Sequence, residues 1–115
     1  LEPPAAIDFA ALNRELCQTE RLAGRIDAAQ AACAAAASED RRRLGDVTAA
    51  TMVESSKLDY ERGQCAEVSA VLQPILDARA ARPLAWETEA DALWFLGLCR
   101  SRLGEHGRGI EAFRA

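Results

Sequence analysis

Large rings are scarce in this 115-residue chain: three Phe, two Trp and one Tyr make up 5% of it, and many of its other apolar residues are Ala. That shortage excludes a thick aromatic core. The expected interior is thin, with helices lying close on small side chains. β-branched residues are few and never alternate over a strand's length, which argues against a sheet. No apolar run approaches the roughly 18 residues that a membrane span needs. A basic excess is also missing: 14 Lys and Arg stand against 18 Asp and Glu, a net charge of -4, the wrong balance for a general nucleic-acid binder. With one His and no C-x-x-C pair there is no ordinary zinc pattern, so neither a metal nor a cofactor is expected. The chain opens "LEPPAAIDFA" without Met and shows no signal peptide of its own, which leaves open a leader lost from before Leu1.

What is present is helix-forming. "AAQAACAAAA" (28–37) is built on the residue that loses least entropy in a helix. The expectation is an all-α chain, one domain over residues 1–115.

Glycine punctuates it. Gly24 in "LAGR", Gly63 in "ERGQ" and Gly104 in "RLGE" recur at spacings of 39 and 41 residues, each between two helical patterns. Before Gly24 lie Leu12, Leu16 and Ala23. After it lie Ile26, Ala29, Ala32, Cys33 and Ala36. These spacings predict one apolar stripe per helix, with the glycine turning the chain back. A period of 20–50 residues is the mark of a solenoid.

The last unit carries the clearest pattern: Leu93-x2-Leu96-Gly97, then Gly104, then Gly109-x3-Phe113. The second has Met52, Ser55-Ser56 and Val68-x3-Leu72. The first has Leu16-Cys17 and Ala29-x3-Cys33. This resembles the tetratricopeptide repeat, whose template reads Trp-x2-Leu-Gly-x2-Tyr, then Ala-x3-Phe. Ser55-Ser56 departs from it, and no unit shows the full motif. The resemblance implies a right-handed α-solenoid of about three helix-turn-helix hairpins, near 7–38, 46–81 and 84–115. The length beyond the family's 34 residues is expected in linkers, "SEDRRRLGD" (38–46) and "ARAARPLAWETEAD" (78–91). Pro83 is expected to close the second unit's last helix nearby, and Pro74 to kink that helix without ending it.

Four cysteines, Cys17, Cys33, Cys65 and Cys99, leave two readings open. They are buried thiols at tight helix contacts, or they form two disulfides, which need an oxidising compartment, periplasmic or extracellular. The even count leans to the second. Hairpin geometry favours Cys17–Cys33 and Cys65–Cys99, each staggered by about a helical turn, roughly 5 Å. That stagger strains the roughly 4.4–6.8 Å Cα separation a disulfide requires.

Catalytic candidates are weak. His106 sits in a turn beside Gly107 with no partner placed for a triad. "DRRR" (40–43) reads as a solvated linker. Asp8, Glu15, Glu20, Asp59 and Glu61 show no pairing in an apolar setting. The chain is read as no enzyme.

The family's first helices line a concave groove that holds peptides. By register the resemblance places Arg14, Gln18 and Arg21 there from the first unit. The second unit gives Val53, Lys57 and Tyr60, and the third gives Asp91, Trp94, Leu98, Ser101 and Arg102. Four cations against one acid suit an acidic or C-terminal peptide, partly like a carboxylate clamp, although Asp91 and Phe95 stand where cations would be expected. The implied function is a protein–protein interaction scaffold. Two alternatives remain: a subunit that assembles as a homodimer through its C-terminal helix, where Ile110 and Phe113 lack a follower, and a fragment of a larger enzyme or regulator.

Overall fold

A computed structural model describes residues 7–104 of the chain. Those residues form five helices and no strand, and the chain divides into two compact units, up to Val47 and from Thr48 onward.

The first unit is a hairpin of α1 (Phe9–Leu22) and α2 (Ile26–Leu44). Asp8 caps α1: the Ala11 N–H donates to its Oδ1 at 2.9 Å, satisfying a backbone donor that the helix cannot. The turn is a Schellman closure. Gly24 adopts φ +80°, its N–H reaches the Arg21 carbonyl at 3.0 Å, and the Arg25 N–H reaches that of Glu20 at 2.9 Å. The turn at Gly63 repeats this, with φ +74° and the Gln64 N–H bonded to the Asp59 carbonyl at 2.8 Å. Gly104 shares the positive φ, +81°, and its N–H reaches the Ser101 carbonyl at 3.1 Å, so the recurrence of glycine in the sequence corresponds to one recurring backbone conformation.

Two expectations fail in this unit. Residues 38–44 are no linker: α2 runs on to Leu44 and stops at Gly45, φ +83°. Glu39 and Arg42 pair one turn apart, Arg42 Nε lying 3.1 Å from Glu39 Oε2, and three arginines in the last turn face the negative end of the helix dipole. The face of α1 is also reversed. Ala10 and Cys17 are buried, while Phe9, Leu12 and Leu16 are 52%, 55% and 49% exposed. Across from them α2 buries Ala29, Ala32, Cys33 and Ala36, as its stripe predicted.

The second unit packs α3 (Ala49–Glu61), α4 (Cys65–Asp77) and α5 (Trp86–Arg102) against one another in all three pairs. Thr48 caps α3 through its hydroxyl. Helix α4 continues through Pro74 as expected, and residues 78–82 turn back with Arg79 3.5 Å from Glu89 of α5. The core is larger than that of the first unit: Val53, Val68, Leu72, Leu76, Ala92 and Leu96, with Val71, Ile75, Leu93 and Phe95 packed on it.

Candidate interaction surface

Both cysteine pairs form as the hairpin geometry favoured: Cys17 with Cys33, and Cys65 with Cys99. The expected stagger is absent. The Cα atoms are 5.4 and 4.9 Å apart, inside the disulfide range. Cys65 opens α4 and Cys99 lies near the end of α5, so antiparallel packing brings these ends level.

Lys57 organises the polar side of the second unit. It projects from α3, 4% exposed, with Nζ 2.7 Å from Glu54 Oε1 on its own helix and 2.7 Å from Asp91 Oδ2 on α5. The Phe95 ring lies 5.8 Å from the ammonium. A buried ammonium needs such partners, because desolvation otherwise disfavours its charge. Asp91 and Phe95, odd residues for a carboxylate clamp, are thus the groups that hold Lys57. Neither was assigned this role from the sequence, although the three-residue spacing of Glu54 and Lys57 was a visible signal.

Beside this cluster Tyr60 and Phe95 meet edge to face, centroids 5.3 Å apart, and the Arg102 guanidinium lies 4.1 Å from the Tyr60 ring centre. Leu98 and Trp94 continue from Arg102 along α5 at four-residue steps, which places the three on one face. Trp94 is 56% exposed, Arg102 is exposed and Leu98 is half-buried.

The expected groove residues therefore divide. Tyr60, Trp94, Leu98 and Arg102 share one neighbourhood of the second unit. Val53 and Lys57 do not present to solvent: Val53 belongs to the core, and the Lys57 charge is taken up by two carboxylates. Arg14, Gln18 and Arg21 lie half-buried on α1 in the first unit, with Arg14 3.9 Å from the buried Asp40. His106, Ile110 and Phe113 lie outside the described residues.

Among the carboxylates, burial pushes the Asp59 carboxyl above its ordinary range, Arg62 pulling it down and Glu67 adding to the rise. Glu20 is held below its ordinary range by its hydrogen bonds to Arg25. Among the described residues no group of three or more His, Cys, Asp or Glu is placed to hold a metal ion. No described helix is long and apolar enough to cross a membrane.

Compared with protein-family models, curated proteins and solved structures, the chain matches none of them.

Proposed function

We propose that the chain is a non-catalytic protein–protein interaction module, a right-handed solenoid of tetratricopeptide-like hairpins that binds a peptide segment of a partner. The observation that carries this reading is the line Trp94–Leu98–Arg102 on α5, with Arg102 stacked on Tyr60 of α3. Trp, Tyr and Arg are the side chains that most often dominate binding energy, because they offer large contact area and directed hydrogen bonds. The likeness to the repeat template is supported by burial at several of its helix-packing slots, Ala29 and Cys33 on α2, Val68 and Leu72 on α4, Leu96 and Gly97 on α5, whereas the Leu16 slot on α1 is exposed. With Lys57 held by two carboxylates, Arg102 is the exposed cation among the described residues that the second unit contributes to the expected groove. The ligand chemistry is then one acidic side chain or C-terminal carboxylate, followed by an apolar residue against Trp94 and Leu98.

Peptide-display selection tests it. Selection on the chain should enrich sequences with a carboxylate beside an apolar residue, and Arg102→Glu with Trp94→Ala should abolish their binding. No enrichment, or binding that survives both substitutions, would overturn the reading.

A second reading, assembly with copies of itself, is favoured by a different observation. Phe9, Leu12 and Leu16 form an exposed apolar line on α1. Sedimentation that shows a dimer dissociated by Leu12→Glu would support it.

A further inference from the structure

We propose that the α1–α2 hairpin is redox-conditional: its helices stay docked only while Cys17–Cys33 is oxidised, whereas the second unit keeps its fold when Cys65–Cys99 is reduced. The contrast lies in what each unit buries. Among the described residues of the first unit the buried side chains are Ala10, Cys17, Ala29, Ala32, Cys33, Ala36 and Asp40. Every Leu and Phe there is exposed, and Ile26 and Val47 are only half-buried. Alanine contacts remove little apolar area from water, so they contribute little to holding two helices together. The disulfide is the covalent link between them and joins positions 16 residues apart; beside it stand the ion pairs Arg14–Asp40 at 3.9 Å and Arg43–Asp8 at 3.6 Å, which do not depend on redox state. Oxidised, it denies the unfolded hairpin its separated states. Reduced, it leaves α1 with 14 residues and two small buried side chains, too short to persist as an isolated helix.

The second unit differs in kind. Three helices share a core of Val53, Val68, Leu72, Leu76 and Leu96, with half-buried Val71, Ile75, Leu93 and Phe95 around it. Here the disulfide adds to an interior that already excludes water.

The chemistry requires a dithiol reductant. One of its thiolates attacks a protein sulfur, the S–S bond breaks, and a mixed disulfide forms. Its second thiol then displaces that sulfur, so two electrons and two protons leave the dithiol and two cysteine thiols result. Cys17 and Cys33 are both buried, so exchange follows local opening, which the alanine interface makes easier in the first unit. The apolar line Phe9–Leu12–Leu16 is then displayed in order only under oxidising conditions.

Hydrogen exchange with peptide-level mass readout on the whole chain, oxidised and then reduced with dithiothreitol, tests this. The paired variants Cys17→Ala/Cys33→Ala and Cys65→Ala/Cys99→Ala are measured beside it without reductant. Reduction should speed exchange across residues 9–44 by about 100-fold or more, and across 49–102 by less than about tenfold. The first double variant should reproduce the pattern, and the second should leave 9–44 protected. Equal loss in both units, unchanged protection of 9–44, or four free thiols in the oxidised chain would overturn the proposal.

Discussion

Lys57 and Ser56 are neighbours on α3, and both are buried, yet their polar atoms fare oppositely. The ammonium has Glu54 and Asp91 at 2.7 Å. Among the described residues the Ser56 hydroxyl is buried without a hydrogen-bond partner. Removing each group should therefore move stability in opposite directions. Lys57→Met strands Glu54 against a low-dielectric surround, and chemical denaturation should show a loss of about 1.5–3 kcal/mol, the worth of a hydrogen bond to a charged group. Ser56→Ala removes an unsatisfied hydroxyl and places a better helix former in the same space. The same measurement should show a gain of about 1 kcal/mol. A loss on Ser56→Ala would mean that the hydroxyl has a partner in solution. Serine keeps the position small, which packing demands, at the cost of a polar atom.

Helix faces give the clearest lesson about elements. The turns at Gly24 and Gly63 were legible in the sequence, because positive φ selects glycine and the period repeats it. The cysteine pairing was legible too, since an antiparallel hairpin brings few alternatives together. The buried face of α1 was not. Counting apolar side chains favours Leu12 and Leu16, but a Cα separation of 5.4 Å at Cys17–Cys33 leaves no room for Leu between the helices. Small residues win the interface and large ones stay outside. The end of α2 was missed for a related reason: a polar, arginine-rich stretch reads as a loop until the pairing of Glu39 with Arg42 is known. Of the residues expected in a groove, register placed Trp94, Leu98 and Arg102 on one face of α5, with Tyr60 of α3 against Arg102. The internal use of Lys57 depends on α5 packing that no local pattern reveals. The reversed face predicts unequal costs. Ala29→Leu should destabilise the chain by about 1–3 kcal/mol through overpacking, while Leu16→Ser should cost less than about 0.5 kcal/mol, the level of surface substitutions. Paired thermal melts check both. A larger cost for Leu16→Ser would put the core back on the expected stripe.

At the scale of the whole molecule, the two units differ in their interiors. Each unit carries its own disulfide, but only the second surrounds it with branched aliphatic side chains. That firmer unit also presents Tyr60, Trp94, Leu98 and Arg102, a sensible place for a binding surface because supported side chains lose less freedom on docking. The net charge of -4 opposes an acidic ligand at long range, so the proposed recognition would rest on contact at Arg102 rather than on steering. The two tryptophans supply an internal control for this claim. Trp94 lies on the proposed line beside Leu98, and Trp86, exposed at the start of the same helix, lies two further four-residue steps along that face, about 12 Å away, so it is a control for distance. The direct test is an NMR titration of the 15N-labelled chain with the most enriched display peptide, following the two indole N–H signals. The Trp94 signal should shift in a saturable way with that of Trp86 unmoved, and Arg102→Glu should remove the shift. Movement of Trp86 alone, or of neither indole while the peptide still binds, would contradict the account.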